Sequence, residues 1–376
     1  MKIALVVPGG VDRSGEGKVM PFLLWTIERL SAAAEVHVFA LHQERQPDQW
    51  PLLGATVHNA GKRPVLGRTV AAMLAEHRRR PFDVVHAFWA SGPGVAGAAF
   101  KTLTGTPLVL TLPGGDLCAF RDIGYGGLLT LAGRLRIRVA LAAANCVVAP
   151  CNAMAARAAS FGVNPRLVRF GVALDRWPVR PPQRRQRSSP LRLVHVADLN
   201  RIKDQPCLLR AAAMLTARGV AFHLHQVGED TLSGSIQRQA SDLGLSAHLT
   251  FHGHQGRGQL RRIVEASDVL VMSSRHETGP IAALEAAAAG VPTAGTAVGQ
   301  IADWAPNAAL AVPVGDAEAL ADAVERLAGD EDLRLRLART AQARVIGHDA
   351  DAFVTQLRSI YREVAAARRP VNAMAG

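Results

Sequence analysis

Three groups of residues have the types and spacing to do chemistry. The first is Glu277-Thr-Gly-Pro-Ile-Ala-Ala-Leu-Glu285, two carboxylates eight positions apart. An apolar run, Asp268–Ser273, precedes it and reads as a strand, so Glu277 falls in the loop at that strand's carboxyl end. Thr278, Gly279, Pro280 and Ile281 then open a helix whose first amides have no partner in the helix, a setting that favours an anion. Glu285 lies about one turn further on. A carboxylate there can accept two hydrogen bonds from vicinal hydroxyls such as those of a ribose. Two glutamates at this spacing also occur on ordinary solvated helices. The strand–loop–helix context and the Ala-Ala-Gly-Val-Pro-Thr that follows carry the functional reading.

The second group is Val196-Ala-Asp-Leu-Asn-Arg201-Ile-Lys203-Asp-Gln205. It too follows a strand and precedes a helix. A planar guanidinium and a compact ammonium at a strand's carboxyl end suit a diphosphate. Standing alone, it would read as a solvated basic loop. The third group is the first loop, with Gly9, Gly10, Ser14, Gly15 and Gly17, between a strand and a helix. Glycines there let a ligand approach the backbone. The dinucleotide fingerprint does not fit: starting at Gly15 puts Met20 in the third glycine slot, and starting at Gly10 puts Asp12 in the second.

These loops need elements to hold them. Short β-branched runs (Lys2–Val7, Glu35–Ala40, Asp83–His86, Pro107–Leu112, Cys146–Ala149) alternate with longer Ala/Leu/Arg-rich helical runs, which implies parallel sheets with helices on both faces. The alternation breaks at Trp177–Pro190, rich in Pro, Arg, Gln and Ser, which reads as an interdomain linker. It restarts at Leu191. Two doubly wound α/β domains are expected, with boundaries at 1–176, 177–190 and 191–350. In such sheets ligands bind at the carboxyl ends of the strands, and two such domains facing each other form a central cleft.

Composition sets the class. The chain has 376 residues, 49% hydrophobic and 20% charged, which excludes a disordered chain. The net charge of +12 favours an anionic partner. Only five of the basic residues are lysines, however, and an arginine excess among many alanines also follows from base composition. Aromatics are 5% and none interleave a basic stretch, which argues against nucleic acid. Four cysteines with no CxxC pair and no metal-ligand spacing read as buried thiols in a reducing compartment. No run reaches the ~18–20 apolar residues of a membrane span. A cytoplasmic protein is expected, attached at most to the inner face of a membrane.

The ordered set of motifs resembles glycosyltransferase family 4. It comprises the Gly-rich first loop, the Arg201/Lys203 loop, Val227-Gly228-Glu229, Phe251-His-Gly253, the Glu277/Glu285 segment, Gly290-Val-Pro292, Val298-Gly299 and Val312-Pro-Val-Gly-Asp316. The resemblance spans nearly the whole chain. It implies a GT-B fold and a retaining, metal-independent transferase using a nucleotide-diphosphate sugar, with no further cofactor. By that analogy the C-terminal domain holds the donor. Lys203, with Arg201, would neutralise the leaving diphosphate, and Glu277 would contact the donor sugar. The amides from Gly279 through Pro280 to Ile281 would meet sugar or phosphate, and Glu285 the ribose. Gly228 and Gly253 would shape the base pocket. The acceptor side would be formed by Gly9, Gly10, Ser14, Gly15, His86, Gly114 and Asp116. Retention in this fold is usually explained by front-face attack assisted by the leaving phosphate. The final helix, Ala352–Ala366, would return to the first domain, giving it a segment 351–376. The acceptor would be a glycan, a glycolipid or a small molecule in bacterial surface synthesis.

Two departures stand out. Many family members place an Arg five residues before the motif Lys, where this chain has Asp198. Many also place a His after the strand matching Pro107–Leu112, where this chain has Pro113; His86, ending its own strand, is the candidate substitute. A non-catalytic nucleotide-sugar-binding protein and a nucleotide-sugar epimerase remain as alternatives. Arg134, Arg136 and Arg138, with Arg78–Arg80, read either as a solvated face or as a contact to an anionic leaflet.

Overall fold

The computed structural model describes residues 1–186 and 188–367. The chain forms two compact units: Met1–Phe170 together with the segment from Ala350, and Gly171–Asp349.

In the first unit the chain runs β1 (Lys2–Val7), α1 (Pro21–Ser31), β2 (Glu35–Ala40), β3 (Asp48–Leu52), β4 (Ala55–Asn59), α2 (Val65–Arg79), β5 (Val84–Phe88), α3 (Gly92–Thr104), β6 (Leu108–Thr111), α4 (Leu131–Ala143), β7 (Cys146–Ala149), α5 (Asn152–Ala159) and β8 (Arg166–Leu167). The sheet order is β3-β4-β2-β1-β5-β6-β7-β8. All pairs are parallel except β3–β4. The central strands β1, β5 and β6 are buried along their whole length, which is why they read as continuous apolar runs. The β3–β4 hairpin has no clear sequence signal. Pro51 lies inside β3, tolerable only because β3 is the sheet edge. Its two-residue turn places Leu53 and Gly54 at φ 52° and 82°, and a leucine hides a turn usually written Asn-Gly.

The second unit continues with β9 (Leu191–Val196), α6 (Gln205–Ala217), β10 (Phe222–Val227), α7 (Ser235–Asp242), β11 (Leu249–Gly253), α8 (Arg257–Glu265), β12 (Val269–Met272), α9 (Ile281–Ala288), β13 (Thr293–Thr296), α10 (Gly299–Trp304), β14 (Ala309–Val312), α11 (Ala317–Gly329) and α12 (Glu331–Gly347). Its sheet is parallel throughout, in the order β11-β10-β9-β12-β13-β14. The last helix, α13 (Ala350–Ala366), belongs to the first unit. The remainder of that returning segment, beyond residue 367, lies outside the described residues.

The segment 177–190, expected as a linker, packs within the second unit instead. Arg180 N donates to Ala288 O at 3.0 Å. The guanidinium of Arg334, 2% exposed, donates to Gln183 O at 2.5 Å and pairs with Glu331 at 2.7 Å. Arg185 N donates to Glu331 Oε1 at 2.9 Å. The main chain of the stretch that reads as a solvated spacer thus satisfies a buried ion pair. Arg187 of this segment is outside the described residues.

Strand order reverses direction between β1 and β5 in one unit and between β9 and β12 in the other. At such switch points the loops after the two central strands splay apart and leave room for a ligand. In the second unit those are the Arg201/Lys203 loop and the Glu277 loop.

Candidate functional site

Lys203 and Glu277 meet at the switch point of the second unit. Lys203 Nζ lies 2.5 Å from Glu277 Oε1, with 24% and 12% of the two side chains exposed. Ser274 Oγ donates to the same oxygen at 2.8 Å. The two loops are fastened by their backbones: Arg275 N donates to Ile202 O at 2.8 Å and Ser273 Oγ to Lys203 O at 2.8 Å. Below Lys203, Asp204 caps α6 at φ 49°, and the turn before it is closed by Asn200. Arg201 is exposed and forms no ion pair among the described residues. The two loops therefore hold one cation fixed by a carboxylate and one exposed cation.

The helix N-terminus is as the sequence predicts. Pro280 is the residue preceding α9, with no side-chain cap. Thr278 and Pro280 are buried, and Gly279 and Ile281 are half-buried. Gly299, at φ 51°, sits against Thr278, where a Cβ would run into the Thr278 carbonyl. Gln300 N then donates to Thr278 O at 2.9 Å, so the Val298-Gly299 turn braces the loop from behind. Gly228 does the same on the other side. It has φ 147°, and a Cβ would strike the Ala197 carbonyl. Gly228 N donates to Gly253 O at 2.9 Å, which joins the ends of β10 and β11.

Asp198, in place of the family's usual Arg, is a tether. Its Oδ1 accepts from Glu229 N at 2.8 Å and its carbonyl accepts from Gln205 Nε2 at 3.0 Å. Beneath Lys203 lies His195, fully buried, with Nδ1 2.8 Å from Val271 O. Burial holds its pKa down at about 4, so it is neutral.

Glu285 is 6% exposed. Burial pushes its pKa up to about 8, opposed by a hydrogen bond from Trp177 and the charge of Arg257. At neutral pH it is largely the neutral acid rather than the ionised acceptor that the sequence reading assumed. Trp177, read as the first residue of a linker, is the partner that reading missed.

The first unit gathers fewer of its expected residues. His86 does not reach a ligand surface. It is fully buried, with Nδ1 2.5 Å from the Tyr361 hydroxyl and Nε2 2.7 Å from Thr111 Oγ1. Burial drives its pKa down to about 3. The strand carrying it is buried on both faces, and the residue that fills the space beside it comes from α13. Asp116 is also buried, 3% exposed, with its pKa raised to about 7 by burial. Its Oδ1 accepts from Ala90 N at 2.9 Å. It thereby fixes the turn after β5, in which Trp89 adopts φ 75°. Gly114 packs on the Trp89 indole, where a Cβ would lie 2.7 Å from Nε1. Ser14 Oγ is engaged by Asp12 at 2.6 Å, closing the first loop, with Gly15 N on Asp12 O at 3.0 Å. Gly9 and Gly10 pack against Gln43 and Met20. A cavity of about 390 Å³ opens beside these loops, lined among others by Leu41, His42, Arg63, Leu66 and Arg136. None of these was singled out as a lining residue from sequence.

The structure also assembles His37, His58 and Glu76, a group with metal-ligand chemistry that the sequence reading missed. Lys2 Nζ already lies 2.8 Å from Glu76 Oε1 and 3.2 Å from Glu35 Oε1, and the two imidazoles bond each other at 3.0 Å. An ammonium on the carboxylates and a shared proton between the rings do not fit a bound cation. The group is a buried charge network.

Two family models match the chain. "Glycosyltransferase Family 4" accounts for residues 26–176 and "Glycosyl transferases group 1" for residues 180–344. The chain belongs to glycosyltransferase family 4. A D-inositol 3-phosphate glycosyltransferase of Corynebacterium urealyticum is 31% identical over 178 residues, 45% of this chain and 42% of the relative. The lipopolysaccharide core biosynthesis glycosyltransferase LpsE of Rhizobium meliloti is 32% identical over 142 residues, 37% of this chain and 41% of the relative. The chain thus spans less than half the length of both. A further D-inositol 3-phosphate glycosyltransferase, of Arthrobacter sp., is 26% identical over 372 residues, 89% of this chain and 86% of the relative. Among solved structures, a sucrose-phosphate synthase from Thermosynechococcus elongatus superposes with a TM-score of 0.84 at 20% identity, covering 98% of this chain and 100% of that one. Anabaena HepE in complex with UDP and glucose gives 0.74 at 16%, covering 96% and 100%. These likenesses establish the GT-B fold of this chain. No helix among the described residues is long and apolar enough to cross a membrane.

Proposed function

We propose that this glycosyltransferase takes its sugar from a nucleoside-diphosphate donor and transfers it with retention of configuration. The observation that carries the reading is the Lys203–Glu277 pair, 2.5 Å apart at the β9/β12 switch point beside the uncapped start of α9. Glycosyl transfer develops negative charge on the departing diphosphate, and a preplaced ammonium with helix amides stabilises that charge. Lys203 serves the leaving group, with Arg201 as a second, exposed cation. Glu277 orients Lys203 and meets the donor sugar. Glu285 presents its carboxyl to the ribose. Gly228 and Gly253 border the base. The acceptor hydroxyl attacks the anomeric carbon on the face the diphosphate leaves, so retention needs no side-chain nucleophile, and the leaving phosphate takes the acceptor's proton in place of a general base. HepE, a fold relative, binds UDP and glucose, which supports the donor class. A relative named for lipopolysaccharide core biosynthesis supports a glycan or lipid-linked acceptor.

The test is a thermal-shift screen with UDP, GDP, ADP and their sugars. At a hundredfold excess over Kd, binding stabilises by about 2.7 kcal/mol. One base should raise Tm by on the order of 5–10 °C, with the rise blunted in Lys203→Ala. A flat response to every nucleotide overturns the proposal.

A further inference from the structure

Helix α4 carries a feature that the transfer reaction does not use. Its inward face is complete: Ile137, Ala140 and Leu141 are buried. Yet Leu131, Leu135 and Val139, spaced i, i+4 and i+8, point outward and are 81%, 64% and 45% exposed. At 100° per residue they form one stripe opposite the buried face. Arg134 and Arg138 flank that stripe on one side and Arg136 on the other. The helix has no acidic residue. None of the three arginines forms an ion pair among the described residues; Arg134 Nε donates only to the Leu128 carbonyl, at 2.9 Å. Leu103 on α3, the helix against which α4 packs, is 64% exposed as well.

A solvated helix would place its polar residues at the centre of the outward face and its longer apolar ones inward. Here the centre is apolar and the rim is cationic. We infer that α4 is a docking helix for an anionic bilayer surface, with Leu131, Leu135 and Val139 entering the acyl boundary and the arginines engaging lipid phosphates. The charge argues against a second copy as occupant, since a two-fold contact would set three arginines against three. Arg79 and Arg80, grouped with these arginines on sequence, have other work: Arg79 pairs with Glu76 at 3.1 Å and Arg80 with Glu35. Arg136 also lines the 390 Å³ cavity. The docking face and that cavity therefore share a residue, which places a bilayer-borne acceptor next to the cavity. The docking itself does not rest on the donor chemistry and is measured without nucleotide.

The experiment is flotation of the full chain with vesicles of phosphatidylcholine alone or with 30 mol% phosphatidylglycerol (about a third anionic lipid), at low and high salt. Binding should require phosphatidylglycerol and weaken with salt. Arg134→Gln with Arg138→Gln should weaken it by roughly tenfold or more, each basic residue near the surface counting for a several-fold factor. Leu131→Gln with Leu135→Gln should abolish it while leaving the circular dichroism and the nucleotide thermal shift unchanged. Leu135→Trp provides a direct readout that needs no loss of function: brominated lipids should quench it more than they quench the wild type. Binding that ignores lipid charge, a leucine variant that still floats, or a tryptophan that lipid bromines do not quench overturns the inference. So does a wild-type dimer that the leucine variant converts to monomer with no vesicle binding.

Discussion

Glu285→Gln separates the buried acid from the rest of the protein's titration. The native carboxyl has its pKa moved by burial from 4.5 to about 8, whereas in the unfolded chain it keeps the ordinary value. A folded-state pKa above the unfolded one means stability is fully present below about 4.5 and is lost as pH rises through about 8. Each unit corresponds to about 1.4 kcal/mol, so the ceiling is about 5 kcal/mol, of which about 4 kcal/mol develops between roughly pH 5 and pH 9. Glutamine has the shape of the neutral acid and still offers an oxygen to Trp177, but it cannot ionise. Urea denaturation of both proteins, followed by circular dichroism at the two pH values, measures the difference. At pH 5 the two should agree within about 1 kcal/mol, and at pH 9 the glutamine variant should be more stable by up to about 4 kcal/mol. Asp116, whose pKa is also raised, titrates in both proteins and cancels. A stability difference that is the same at both pH values refutes the buried-acid account of Glu285.

Lys203→Ala should lower kcat by about 10²–10³, the scale of losing one preplaced charge-stabilising donor, with the circular dichroism unchanged; steady-state rates within threefold of wild type would contradict the role given to the ammonium. Tyr361→Phe removes the partner of buried His86 Nδ1 at 2.5 Å and should cost about 1–3 kcal/mol in denaturation. Activity per folded molecule should not change, and a loss of activity without a loss of stability would return His86 to the site. Gly228→Ala forces a Cβ into the Ala197 carbonyl at a φ of 147°. It should weaken nucleotide binding more than it lowers Tm, and calorimetry showing an unchanged Kd would show that this turn does not border the ligand.

How much of this could be read in the sequence depended on whether a residue's environment is local. The Lys203 and Glu277 loops were legible because both follow apolar strands and precede helices, and the parallel order β9–β12 does the rest. Trp177 and Glu285 were not legible as partners. They lie over a hundred residues apart, and Pro and Arg neighbours made Trp177 look like linker. His86 was misjudged for a related reason: a histidine ending a strand reads as accessible until α13 delivers Tyr361 beside it. The outward leucines of α4 share the periodicity of the inward ones. Only the packing on α3 shows which stripe is spare.

The return of α13 to the first unit also bears on how the chain is made. The core that holds His86 needs Tyr361, and Phe353 meets Phe170 edge to face with ring centroids 5.4 Å apart. Between Phe170 and Ala350 the ribosome must synthesise the entire second unit. At ~5–20 residues per second this is roughly 10–40 s during which the eight-stranded sheet exists without its closing helix. The later-made unit has all its own strands and helices in hand before the earlier-made one does. A chain truncated after Asp349 and released from the ribosome should therefore yield a protease-resistant second unit and a first unit still open at the His86 face.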